Sequence, residues 1–149
     1  MHTLKSHPIT PSRSSGFTLI EVLVAVLVLS IGLLGLAGLQ TTSLRNNNSA
    51  YMRSQAAILA YDIVDRMRAN RDAAVEAGSY DLDLTGSHSG SGSVAEDDLT
   101  AWIDTIADIL PAGQGAIDRS GSEFTITVQW ADSRDPAADP VAFAVETEL

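Results

Sequence analysis

Gly16-Phe17-Thr18-Leu19-Ile20-Glu21 places a glycine and an acid at the mouth of an apolar run that continues to Leu39. Glu21 is the only charged residue between Phe17 and Leu39. As a helix rising 1.5 Å per residue, this run is roughly 34 Å long, enough to cross the hydrocarbon core of a bilayer. A carboxylate within such a span costs roughly 2.5 to 3.5 kcal/mol even on the lenient insertion scale, so Glu21 calls for a partner or a task. The plain alternative is that Glu21 lies near the helix end and reaches back to the membrane interface.

The residues upstream narrow the choice. Met1 to Gly16 carries Lys5, Arg13, His2 and His7 and no acid, a flank that stays in the cytoplasm under the positive-inside rule. An ordinary secretory signal has its small-residue cleavage site after the apolar stretch. Here the small residue, Gly16, precedes it. A cut after Gly16 leaves the span attached, with Phe17 as the new amino terminus and Glu21 as its fifth residue.

This arrangement resembles a class III prepilin signal, the mark of type IV pilins and their relatives. Beyond the span, Gly38-Leu39-Gln40, Ser43-Leu44-Arg45, Arg53-Ser54-Gln55-Ala56, Leu59-Ala60-Tyr61-Asp62 and Asp65-Arg66-Met67-Arg68-Ala69-Asn70 resemble the type IV pilus modification protein PilV family, whose members are minor pilins. Trp102, Leu110-Pro111-Ala112-Gly113 and Phe124-Thr125-Ile126-Thr127-Val128-Gln129-Trp130 are similar to the tail of that family. The resemblance implies cleavage between Gly16 and Phe17 by prepilin peptidase, N-methylation of Phe17, and a role for Glu21 in assembly. It implies insertion in the inner membrane with the C-terminal head in the periplasm, followed by incorporation into a pilus. The implied partners are other minor pilins, the major pilin and a tip adhesin, in a complex that primes assembly near the fibre tip and supports adhesion and twitching motility. Two alternatives stay open: a minor pseudopilin of a type II secretion system, and a membrane-anchored periplasmic enzyme or binding protein.

Composition agrees with an exported subunit. The chain of 149 residues carries a formal net charge of −10. Removing Lys5 and Arg13 with the leader leaves about twelve net negative charges and no lysine, which disfavours nucleic acid as a partner. Cysteine is absent, so no disulfide staples the head, unlike the C-terminal disulfide loop common in the major pilins. Leader and span leave room for one small domain.

The expected organisation is a leader at 1–16, a transmembrane or filament-core helix at 17–39, an amphipathic continuation at 40–77 and a small head at 78–149. In the continuation, Leu44, Tyr51 and Ile58 recur at seven, and Ile58, Tyr61, Val64 and Met67 at three, so one stripe is expected to face a packed sheet. Asn46-Asn47-Asn48 forms a weak point on an exposed face, where Asp62 and Arg66 pair one turn apart. Gly32, Gly35 and Gly38 lower helix stability and allow close helix approach; resemblance to pilins implies local melting around Gly35 to Gln40 in the fibre. The stretch from Gly78 to Glu96 reads as a loop centred on its Gly/Ser run, with a short strand around Tyr80 to Leu84.

A helix is expected from Asp98 to Leu110, capped by Asp97 or Asp98, with Leu99, Trp102, Ile103, Ile106 and Leu110 on one face and Pro111 as its stop. Phe124, Ile126, Val128 and Trp130 alternate with polar residues over 123–131, and Val141, Phe143 and Val145 alternate after the loop 132–140; with Gln114 to Arg119 these form a three-stranded antiparallel sheet. The fold class is therefore α+β and pilin-like: a long N-terminal helix packed on a small antiparallel head.

No catalytic group, cofactor site or metal site is expected. His88 sits alone in the Gly/Ser loop, without a positioned nucleophile. The start of a calcium loop at Asp81-Leu82-Asp83-Leu84-Thr85-Gly86 meets Gly92 where a bidentate acid is needed. The acids at Asp97, Asp98 and Asp104 are helix-start charges, and Asp132, Asp135 and Asp139 belong to a solvated loop.

Overall fold

The computed structural model describes residues 16–84, 86, 92–133 and 137–149. The leader to Ser15, His88 and Asp135 lie outside them, as does most of the Gly/Ser run. Elements follow in the order α1 (Leu19–Ala69), α2 (Arg71–Val75), α3 (Val94–Ile109), β1 (Gln114–Ser120), β2 (Glu123–Trp130) and β3 (Val141–Glu148). The chain divides into one compact unit up to Ser43 and a second from Leu44 to Leu149. This long N-terminal helix with a small three-stranded antiparallel sheet is the α+β, pilin-like architecture expected from the sequence.

In the first unit, α1 contains the whole apolar run from Leu19, and none of its side chains is buried. Ser30 Oγ and Thr41 Oγ1 donate to the carbonyls of Val26 and Ala37 four residues back, so these hydroxyls are satisfied within the helix. Gly32, Gly35 and Gly38 are helical, and a Cβ at any of them meets open space. Nothing among the described residues therefore demands glycine there.

The second unit holds the core. The stretch of α1 from Leu44 buries Met52, Ala56, Leu59, Ala60, Ile63, Val64 and Met67. That corrects the expected stripe: Leu44, Tyr51, Ile58 and Tyr61 are exposed, and only Val64 and Met67 of the named positions turn inward. Ala56 and Ala60 explain the difference, because their small side chains let the helix settle closely on that face while adding little apolar signal to the sequence pattern. The expected weak point at Asn46-Asn47-Asn48 is helical.

The helix also stops earlier than the expected Ala77. Asn70 leaves helical geometry at φ −121°, ψ 47°, and the five-residue α2 follows. Asn70 Nδ2 donates to Tyr80 Oη at 3.3 Å; an asparagine competes readily with regular helix in this way.

α3 begins at Val94, ahead of the expected Asp98. Ser93 Oγ accepts from Glu96 N at 3.2 Å while Ser93 N donates to Glu96 Oε2 at 3.2 Å, a reciprocal capping box that satisfies two orphan amide groups at once. Asp98 has a different task. Its carboxylate accepts from Tyr80 Oη at 2.7 Å and from Arg66 Nη1 at 3.2 Å, tying α3 to α1 and to the segment after α2. Leu99, Trp102 and Ile106 are buried, and Leu110 leaves the helix with extended geometry just before Pro111. Trp102 Nε1 donates to Leu59 O at 2.8 Å. Gly115 on β1 lies so close that a Cβ there would stand 2.6 Å from the Trp102 ring.

The sheet order is β1-β2-β3, all antiparallel, with Ile117 opposite Ile126 and Ile126 opposite Val145. Gly121 supplies φ +69° in the two-residue turn between β1 and β2, a geometry that glycine adopts without strain. Phe124, Ile126, Val128 and Trp130 are fully buried, as their alternation requires. The expected strand around Tyr80 to Leu84 reduces to a single bridge, Leu82 to Ile117.

Burial, together with the hydrogen bond to Asp98, pushes the Tyr80 phenol up to about 12 from an ordinary 10.0. A pKa raised on folding gives stability that is complete below the unfolded value and is lost as pH rises through the folded one. Chemical denaturation should therefore show the head losing stability between pH 10 and about 12, and Tyr80→Phe should flatten that loss; an equal slope in both proteins would contradict the assignment.

Candidate processing and assembly site

Gly16, Phe17 and Thr18 precede the first helical residue, Leu19. Thr18 O accepts from Glu21 N at 3.1 Å and Val22 N at 3.3 Å, and Thr18 Oγ1 lies 3.4 Å from Glu21 N. Thr18 thus occupies the N-cap position that its hydroxyl suits. Glu21 falls in the first turn, where unpaired amides and the helix dipole favour a negative charge.

The three residues singled out by sequence, Gly16, Phe17 and Glu21, lie within one short stretch, and all are exposed. Phe17 is 84 % exposed. A side chain at Gly16 meets nothing within 4 Å, so glycine there answers to no packing demand among the described residues. From Phe17 onward, Leu19, Ile20, Leu23, Val26 and Leu27 are all more than half exposed. The helix is long and apolar enough to cross a membrane.

In the head, acids read from the sequence as a helix-start charge (Asp98), the start of a calcium-loop match (Asp81) and a solvated-loop residue (Asp132) have protein partners. Asp98 holds Tyr80 and Arg66, Asp81 holds Arg119 Nε at 3.3 Å, and Asp132 Oδ2 accepts from Ser49 Oγ at 2.9 Å. Among the described residues no group of three or more His, Cys, Asp or Glu could hold a metal. Sequence reasoning missed the Arg66–Asp98–Tyr80 network because its members are 18 and 32 residues apart.

Residues 11–37 match the family described as the prokaryotic N-terminal methylation motif. Comparison with curated proteins and with solved structures finds no match. The motif supports a type IV pilin or pseudopilin: a prepilin-type, structural subunit anchored by its N-terminal helix. Proteins with this motif are processed by prepilin peptidase and assemble with other pilins.

Proposed function

We propose that the protein is a minor pilin of the PilV type, which takes part in priming type IV pilus assembly near the fibre tip and thereby supports adhesion and twitching motility. The observation that carries this reading is the placing of Gly16 directly before an exposed apolar helix whose single charge, Glu21, lies in the first turn. The span inserts in the inner membrane with the basic leader inside and the head in the periplasm. Prepilin peptidase then cuts between Gly16 and Phe17, Phe17 is N-methylated, and the apolar helix enters the fibre beside other minor pilins and the major pilin. The open space around Gly32, Gly35 and Gly38 supports close contact with neighbouring helices.

The head supports a structural role over a catalytic one. Among the described residues its buried side chains belong to hydrophobic residues, and the Arg66–Asp98 and Arg119–Asp81 pairs fasten one segment to another.

Gly16→Val should leave the precursor full length and absent from sheared pili, while the wild-type chain is found there in trimmed form. Immunoblots of membrane and sheared-pilus fractions read both outcomes. The same motif supports a minor pseudopilin; a trimmed chain that never reaches surface pili would favour that reading.

A further inference from the structure

The two edges of the sheet are treated differently. Beside β1, Leu82 exchanges both backbone hydrogen bonds with Ile117, and Arg119 Nη1 donates to Val75 O at 2.9 Å, so the neighbouring segment lies against that edge. The outer edge of β3 has no backbone partner among the described residues. It runs for eight residues, Val141-Ala142-Phe143-Ala144-Val145-Glu146-Thr147-Glu148, without a proline, lysine or glycine. Exposed edges are ordinarily blunted by proline, by charged side chains, lysine above all, by a bulge or by a cover, and of these β3 carries only the acids of its C-terminal half, Glu146 and Glu148.

The side chains of β3 show the same incompleteness. On the core face of β2, Phe124, Ile126, Val128 and Trp130 are all fully buried. On β3, Val141, Phe143 and Val145 pack against that core but remain partly exposed. A further strand beside β3 would cover this row and use the free amides and carbonyls in the same step.

Charge specifies what that strand must carry. Residues directly opposite in the ladder share a face, so Glu148 stands opposite Glu123, and Asp118, Thr125 and Glu146 form one row across the sheet. Like charges placed opposite each other are unfavourable. The hydrogen bond from Ser122 Oγ to Glu148 Oε1, 3.0 Å, brings no positive charge to the cluster.

We propose that β3 is a docking edge for an extended strand of another polypeptide. Apolar residues of that strand lie opposite Val141, Phe143 and Val145, and Lys or Arg lies opposite Glu146 and Glu148. Main-chain bonds supply the affinity and the alternating side chains the specificity. A second copy of this chain is the wrong occupant, since its β3 brings carboxylates and no cation. The inference stands on the head alone and does not depend on the pilin reading.

The test uses the full chain in detergent and amide hydrogen exchange over 141–148. The probes are two synthetic peptides of about ten residues, one alternating Val with Lys and one alternating Val with Glu. The Val/Lys peptide should slow exchange of the β3 amides by about tenfold or more, and the Val/Glu peptide at equal concentration should not. Glu146→Lys with Glu148→Lys should reverse that preference. Val145→Lys, an inward-pointing charge on the edge strand, should abolish protection, whereas Val145→Thr should retain it. Protection by both peptides alike, protection confined to segments other than β3, no protection by either, or concentration-dependent protection without peptide would each overturn the proposal.

Discussion

Glu21→Gln should be inserted and trimmed like the wild-type chain and yet enter pili less efficiently by about a hundredfold or more. Under the proposed trimming after Gly16, the amine of Phe17 stands four residues before Glu21, just ahead of the first helical turn, and, methylated, still carries a positive charge. In the proposed assembly that amine, or the amine of a neighbouring subunit, is what offsets the carboxylate in the apolar fibre core. Removing one member of such a pair costs roughly 3 to 5 kcal/mol, because the other charge is stranded. The competing explanation is the helix dipole, which Glu21 also complements from the first turn. That effect is worth only about 0.3 to 1 kcal/mol, about a fivefold change at most. The size of the incorporation defect therefore separates charge pairing from helix-end electrostatics. Insertion is not expected to suffer, since the substitution removes a charge from the span. Quantitative immunoblotting of sheared pili against the trimmed membrane pool gives the ratio. Incorporation equal to wild type would leave interfacial placement of Glu21 as the better account.

The second large effect lies in the head. Trp102→Ala should cost about 3 to 5 kcal/mol, a large part of the 5 to 15 kcal/mol that typically stabilises a domain. Trp102 is fully buried, is crowded by Gly115 and donates to Leu59 O. Trp130→Ala belongs in the same range, since Trp130 is buried as well. Phenylalanine substitutions should tell the two apart. Trp102→Phe removes the hydrogen bond to Leu59 O and should lose about 0.5 to 1.5 kcal/mol beyond the change in volume. Trp130 Nε1 is buried without a hydrogen-bond partner among the described residues, so Trp130→Phe removes an unsatisfied donor and should be the milder change. Urea denaturation of the detergent-solubilised chain measures both, and reductant should leave the midpoints unmoved because cysteine is absent. A milder result for Trp102→Phe than for Trp130→Phe would contradict the assigned hydrogen bonding.

What was legible in the sequence depended on how local its cause was. The strand Glu123–Trp130 could be read directly, because large apolar residues alternate with Glu, Thr and Gln and a half-buried strand demands that period. The face of α1 from Leu44 was misread because Leu44, Tyr51 and Ile58 carry the strong apolar signal, whereas Ala56 and Ala60 make the close approach. The start of α3 was present as Ser93-Val94-Ala95-Glu96, a capping-box spacing hidden at the end of a Gly/Ser run that looks like loop throughout. Asn70 as a stop and Asp98 as a fastening point depend on Tyr80 and Arg66 arriving from elsewhere in the chain. No local pattern announces them. Gly16, Phe17 and Glu21 are the opposite case. They form a linear signal that needs no tertiary contact, and the groups expected to act on them belong to other proteins.

The central claim is that this chain is trimmed immediately before its apolar helix and keeps that helix in the fibre. Mass spectrometry of the N-terminal peptide from sheared pili tests it most directly. The account predicts a peptide that begins at Phe17 and carries one methyl group on its amine. A mature chain that begins beyond Leu39, with the span lost, would contradict it.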